Sequence, residues 1–377
     1  MLKRFKVRGF KSFDKEIVFD LSMPNSYLFL PHCVKDGVVR SAVIHGKNGV
    51  GKSNLGLAIF DIFEQLTDYK IEDSLFIPYI NANLPVDSER IAEFEYLFGF
   101  DGIDVSYAYG KKSLNEVVYE KLAINGVEVI SSDRRVDNSF TCSLPGTESL
   151  KKTISDSSIS VLKYIKSNTE RDASIENTAF NRLFEFVGKM LYFKCLDFKA
   201  YIAEPPKNNN YITDIIEADR VKDLENFLRQ CKIETHLRVE GEGSRRTIVN
   251  VYGSESYPLE DVWSTGTSAL TLFFSWATRM ERSGVSFLFI DEFDAFYHFS
   301  LSRRVIKFLR DLTSIQFAVS THNPATITTS LLRPDCYFIM DRAGILPLSL
   351  RTDRELREAH NLEKMYKADA FDLLADE

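Results

Sequence analysis

The stretch VIHGKNGVGKSN, Val43 to Asn54, carries the spacing Gly46-x-x-x-x-Gly51-Lys52-Ser53. Gly46 and Gly51 let the backbone curl so that successive amide N–H groups face one anion, and a helix starting near Lys52 would add its partial positive charge. Lys52 would reach the outer phosphates of a nucleotide, and the Ser53 hydroxyl would hold a magnesium ion, a hard cation that prefers oxygen ligands. Asn48, Gly49, Val50 and Asn54 complete the expected nucleotide-binding loop. The motif has physical meaning only between a strand and a helix. Before it runs VVRSAVIHG (Val38–Gly46), an apolar strand pattern. After it, Leu55, Ile59, Ile62, Phe63 and Leu66 recur at helical spacing.

Two further apolar runs end in chemistry. SFLFIDEFDAF (Ser286–Phe296) reads as a strand buried on both faces that closes in Asp291-Glu292. At the carboxyl end of a parallel strand these acids would lie beside the loop. Asp291 would hold magnesium through water, and Glu292 would polarise an attacking water. IQFAVSTHNP (Ile315–Pro324) ends in Thr321-His322, facing the same sheet edge, where His322 would contact a terminal phosphate. A fourth element, VWSTGTSALTLFFSWATRM (Val262–Met280), opens an apolar helix with Ser264, Thr265, Gly266 and Thr267. This is either a plain helix cap or a second anion site. One nucleotide needs one phosphate loop, so a second anion-binding helix start makes sense if it serves a nucleotide held by another copy.

The rest of the chain fits an α/β fold with a central parallel sheet. KRFKVRGF (Lys3–Phe10) and EIVFDL (Glu16–Leu21) alternate as strands around a KSFD break. Residues 89–131 read as an antiparallel meander with turns at Asp101-Gly102 and Asn125-Gly126. Lys151–Cys231 reads as a helical insertion with an aromatic run at Phe180, Phe184, Phe186, Leu191 and Phe193, broken by EPPKNNN (Glu204–Asn210). THLRVEG and RTIVNVYG resume as strands, and from Ser264 the order is helix, strand, helix, strand, helix. The expected division is 1–150, the first half of the core with the phosphate loop and meander; 151–231, the insertion; 232–350, the second half; and 351–377, a helical tail.

Composition narrows the class. Among 377 residues, 47 basic and 54 acidic give a net charge of −7, which argues against bulk nucleic-acid binding and leaves a local basic patch open. No apolar run has membrane-spanning length and the N-terminus lacks a signal-peptide core, so no membrane is expected and a cytoplasmic location is. The five cysteines (Cys33, Cys142, Cys195, Cys231, Cys336) form no C-x-x-C pair, which argues against a zinc or disulfide framework.

Taken together, these motifs resemble an ABC-type ATPase head of the SMC, RecF and OLD-like branch. WSTGT is similar to the signature usually written LSGGQ, and FLFIDE to the Walker B strand with its catalytic glutamate. Asp294 lies where the family's D-loop falls, and His322 where its switch histidine falls. GFKSF (Gly9–Phe13) is similar to the opening strand-turn, where Lys11 and Ser12 would approach the nucleotide. The meander and the closing ELREAHNLEKMYKADAF (Glu355–Phe371) resemble, more narrowly, the OLD-like AAA-type ATPases of bacterial phage-defence islands. The resemblance implies an ATP- and Mg2+-dependent ATPase that pairs as a homodimer, or a higher even oligomer, around ATP.

The chain departs from the family's pattern in three places. None of its glutamines (Gln65, Gln230, Gln316) falls near ISVLKYIKSN (Ile159–Asn168), where the Q-loop is expected. An insertion of this size is too short for a long coiled-coil arm. A chain of this length also leaves no room for the nuclease domain of full OLD proteins, so a separately encoded effector, a nuclease or toxin, is the expected partner. An exposed patch formed by the insertion's phenylalanines would be its docking site, unless those rings pack against the head. The alternative is a RecF-like DNA-repair clamp, with Lys151-Lys152 and Arg245-Arg246 as candidate DNA contacts. A GTP switch would need an N-K-x-D motif, which the sequence lacks, and a dead scaffold is at odds with intact Lys52, Asp291 and Glu292.

Overall fold

The computed structural model describes residues 1–85, 89–170, 172–194, 197–203, 211–295 and 299–371. The turn expected at Glu204–Asn210, Cys195, Phe296 and the last residues of the expected tail lie outside them. Two seven-stranded sheets dominate. The first is antiparallel, with strands in the order Phe140–Cys142, Val127–Asp133, Glu116–Ile124, Ile103–Ser113, Ala92–Phe100, Leu2–Arg8, Ile17–Asp20. The expected meander is its centre. Its two sharp turns are built as their sequences dictate: Asp101 and Gly102, then Asn125 and Gly126, all have positive φ, as a two-residue hairpin loop needs.

The second sheet has a parallel core. Its order is Asp197–Ile202, Leu191–Lys194, Phe287–Asp291, Gln316–Thr321, Ser41–His45, Tyr337–Met340, Ile345–Pro347, and only the two outer strands are antiparallel. Ser41–His45, Phe287–Asp291 and Gln316–Thr321 are buried along their whole length, as strands covered on both faces must be. The fold class is therefore the expected one, a mixed α/β architecture with an antiparallel subdomain and a central parallel sheet.

The helix after the phosphate loop, Lys52–Leu66, is clamped between the sheets, and all but three of its residues are buried. On one side Gly56 lies so close to the Phe289 ring that an added Cβ would come within 2.6 Å of it, and Phe60 packs on Tyr192 and Phe287. On the other side the Tyr96 hydroxyl donates to Ala58 O. Asp61, fully buried, accepts hydrogen bonds from the Tyr79 and Tyr109 hydroxyls at 2.7 and 2.9 Å and from Lys111 Nζ at 2.8 Å. One turn further on, Gln65 Nε2 donates to Glu120, which also accepts from Tyr107, Ser160 and the Val161 amide. Burying a carboxylate is costly unless its oxygens find partners: Asp61 has the Lys111 ammonium beside its two tyrosine donors, and Glu120 has four neutral hydrogen-bond donors.

The segment 151–231 corrects one reading. Its helices are Val161–Asn168, Ile175–Gly188, Tyr211–Glu217 and Val221–Gln230, but Leu191 and Phe193 belong to a strand of the central sheet. A short aromatic run has no periodicity of its own, and pairing with Phe287–Asp291 decides it. The candidate docking patch is also overturned, because Phe180, Phe184, Phe186 and Phe193 are all buried. Phe186 packs on Phe98 and Phe100 of the antiparallel sheet, and Phe193 stacks on Trp276. Further on, a three-stranded sheet gains an unexpected strand, Glu255–Pro258. After Gln316–Thr321 the expected helix is replaced by short 3-10 turns at Pro324–Thr326 and Pro334–Cys336 and by the strand Tyr337–Met340. Each of those turns opens on a proline, which lacks the N–H that a helix interior requires. The tail contributes the short helix Leu362–Lys367.

Candidate nucleotide-binding site

The loop lies between Ser41–His45 and Lys52–Leu66, the strand–loop–helix context that its spacing requires. Gly49 and Gly51 take φ of 78° and 108°, open to glycine and costly to other residues. At Gly46 a Cβ would come within 2.4 Å of Met340 O, and at Gly51 within 2.8 Å of the Phe13 ring. Lys47, Asn48 and Gly49 form an exposed rim, with Val50 beneath them. Lys52, only 5% exposed, curls back over the loop and donates to Gly46 O at 2.8 Å and Lys47 O at 3.0 Å. Burial lowers its pKa, partly offset by Asp291 and Glu292.

The expected side chains converge at the carboxyl edge of the parallel sheet. Gln316–Thr321 lies between the loop strand and the acidic strand, so the acids sit one strand away from the loop. His322 Nδ1 is 3.4 Å from Lys52 Nζ, and burial together with that lysine lowers its pKa, which favours the neutral ring. Ser320, which the sequence reading did not single out, bridges the acids: its Oγ donates to Asp291 Oδ1 at 2.6 Å and accepts the Glu292 N–H at 2.8 Å. Nothing in VSTH distinguishes this serine from a structural one, since its role depends on the strand order. Glu292 has φ of 50°, a left-handed conformation uncommon outside glycine. Strain of this kind persists where surrounding contacts over-determine it, and such places cluster at functional sites. Thr321 Oγ1 donates to the Asp294 carboxylate, 2.8 and 2.7 Å from its two oxygens, and burial raises the Asp294 pKa.

The opening turn reaches the loop from the other sheet. Asn54 Nδ2 donates to Ser12 Oγ at 2.7 Å. Lys11, at φ 48°, donates to Ile77 O, and burial lowers its pKa. Ser264 caps the helix Thr265–Ser283 by accepting the Thr267 N–H at 3.3 Å. Among the described residues, Ser264, Gly266 and Thr267 make no hydrogen bond or ion pair to the loop, Asp291, Glu292 or His322 of the same chain. The side chain of Thr265 lies outside the described residues. The segment expected to carry the Q-loop forms the helix Val161–Asn168, capped by Ser160 and tied to Glu120 at the antiparallel sheet.

A magnesium ion suits this donor set. Asp291 Oδ2 and Glu292 Oε2 are buried and have no hydrogen-bond partner among the described residues. Hard carboxylate and hydroxyl oxygens at a phosphate loop are the ligands such an ion takes.

A family profile described as "AAA domain, putative AbiEii toxin, Type IV TA system" matches residues 41–328, from the loop strand past the histidine strand. The chain belongs to this AAA domain family. The AAA domain spans every motif gathered at the sheet edge, while the Lys11 turn precedes it. Comparison with curated proteins finds no match. Among solved structures, the AAA chain is similar to the SMC head domain from Thermotoga maritima, at 19% identity and TM-score 0.47, covering 92% of this chain and 98% of that one. It is also similar to an Smc head bound to the C-winged helix domain of ScpA (15%, 0.46, covering 92% and 96%). A third is the Smc head domain with an extended coiled coil bound to the C-terminal domain of ScpA derived from Pyrococcus furiosus (16%, 0.43, covering 93% and 96%). Among the described residues, no helix is long and apolar enough to cross a membrane.

Proposed function

We propose that this AAA domain protein binds and hydrolyses ATP, pairs with a second copy around the nucleotide, and controls a separately encoded effector in bacterial antiviral defence. The observation that carries the ATPase reading is the convergence of Lys52, Asp291, Glu292 and His322 on one sheet edge, where two buried carboxylate oxygens have no hydrogen-bond partner among the described residues. Lys52 exchanges its two loop carbonyls for the outer phosphates. Its charge, delivered from a largely water-excluded position, offsets charge developing on the transferred group. Glu292 accepts a proton from the attacking water, and neutral His322 donates to the terminal phosphate. Magnesium, held by Ser53 and Asp291, would supply the remaining positive charge. Lys11, Ser12 and Asn54 border the nucleotide, while Asp294, Ser264, Thr265, Gly266 and Thr267 serve the contact with the second copy, the latter four by presenting a capped helix start to its phosphates. The family description, which names a toxin and a type IV toxin–antitoxin system, supports a role in a two-component conflict system.

The test pairs two variants. Lys52→Ala abolishes most ATP binding in a folded protein. Glu292→Gln keeps binding and slows turnover by about 10²-fold or more, the scale of a lost general base. ATP binding at wild-type strength by folded Lys52→Ala rules the reading out.

A further inference from the structure

A third charged side chain faces the two acids from the side opposite the loop. Lys194 ends the strand Leu191–Lys194, and the parallel register sets it beside Asp291. Its Nζ lies 3.9 Å from Glu292 Oε2 and 4.0 Å from Asp291 Oδ2. These are the same two buried oxygens that lack a hydrogen-bond partner. At such distances the contact is an ion pair without a hydrogen bond, so the ammonium balances both carboxylates while leaving their lone pairs available. In the sheet order, Lys194 stands on one flank of the acidic strand, and Lys52 stands on the other, beyond the histidine strand. Two cations therefore bracket two adjacent carboxylates that would otherwise repel one another.

We infer that Lys194 is a positioning residue of the nucleotide site: it tethers the Glu292 carboxylate in its working place and, by its charge, weakens metal binding at Asp291. The inference rests on the ATPase reading. An exposed ion pair would contribute little, but Asp291 is fully buried and the Lys194 side chain is only 32% exposed. Glu292 holds a left-handed backbone with no glycine to ease it, and its anchors are the Ser320 hydroxyl at the amide and Lys194 at the carboxylate. Lys194 stands at the end of a neighbouring strand and faces both acids. It comes from a strand that the sequence pattern did not disclose.

Two consequences have opposite signs. Removing the charge frees Asp291 from a competing cation, so divalent metal binds more tightly. The same change releases Glu292, so turnover falls. General destabilisation would weaken both, and an inert surface pair would alter neither. The experiment compares wild type, Lys194→Met, Lys194→Gln and Lys194→Arg in the full chain, with folding checked by thermal unfolding. Binding of Mn2+ with a non-hydrolysable ATP analogue is read by electron paramagnetic resonance, and kcat and KM are measured separately with Mg2+ and ATP. Lys194→Met is expected to bind the Mn2+–analogue complex about fivefold or more tightly, the lower end of typical site–site coupling. Its kcat should fall at least about tenfold, part of what a general base supplies, with KM changed little. Lys194→Arg should restore both values toward wild type, and Lys194→Gln should follow Lys194→Met, carrying the test where the latter does not fold. Wild-type metal affinity and kcat in Lys194→Met, or a fall in both together, overturns the inference while the ATPase reading stands. A wild-type protein that neither binds nor hydrolyses ATP overturns the two readings together.

Discussion

Replacing Ser320 by alanine tests whether the acids are held by the strand between them and the loop. Ser320 is fully buried, and its hydroxyl joins Asp291 Oδ1 at 2.6 Å to the Glu292 amide at 2.8 Å. Ser320→Ala removes one oxygen, leaves almost no cavity, and orphans both partners. A hydrogen bond to a charged group contributes about 1.5–3 kcal/mol and a neutral one about 1 kcal/mol. The expected cost is therefore about 2.5–4 kcal/mol, a large share of the roughly 5–15 kcal/mol that holds a typical protein folded. Urea unfolding, followed by circular dichroism and tryptophan fluorescence, measures it as a midpoint shift at unchanged slope. A double-mutant cycle isolates the charged bond. In an Asp291→Ala background, Ser320→Ala should cost only about 1 kcal/mol, leaving a coupling of about 1.5–3 kcal/mol. Turnover should fall as the Glu292 backbone loses its anchor, while ATP affinity, set by the loop, changes little. A cost below about 0.5 kcal/mol, or a cycle that adds without coupling, would refute the reasoning.

Other consequences can be checked directly. Gly266→Asp places a carboxylate where a second copy's phosphate would dock, so ATP-driven pairing fails while monomer binding survives. Mixing Gly266→Asp with Lys52→Ala leaves one sound shared site in each mixed dimer and restores some turnover, and no rescue in demonstrated mixed dimers refutes sharing. Lys111→Met leaves Asp61 buried with its two tyrosine donors and without its cation, and should cost about 3 kcal/mol, the lower end for a broken buried pair, read by urea unfolding. His45 is buried beside Thr326, and burial, then Lys52 and His322, push its pKa down to about 3 from 6.5. Below pH 6.5 the unfolded chain binds the proton that the folded chain refuses, so this contribution is complete above pH 6.5 and is lost as pH falls toward 3. At pH 5 the loss is about 2 kcal/mol, and thermal unfolding of His45→Leu should show a shallower decline between pH 6.5 and 5.

The sequence by itself determined the parts of the site that are contiguous. Gly46 to Ser53 carries its loop within eight positions, because a phosphate cradle is made of successive amides and a helix start. The ends of the apolar runs at Asp291 and His322 were legible for a related reason: parallel strands all finish at the same sheet edge, so the residue after each run is placed without knowing which strand neighbours which. Only the tertiary structure decided that the histidine strand stands between loop and acids, and with that order Ser320 becomes the bridge. Lys194 reaches the acids because Leu191–Lys194 pairs with a strand almost a hundred positions away, and its three apolar and aromatic residues carry no period that announces it. The same applies to Phe186 and Phe193, whose rings could serve a docking face or a core equally well until Phe98, Phe100 and Trp276 cover them. Local motifs are written in spacing; pairing across the sheets depends on the burial of the whole chain, which no single segment encodes.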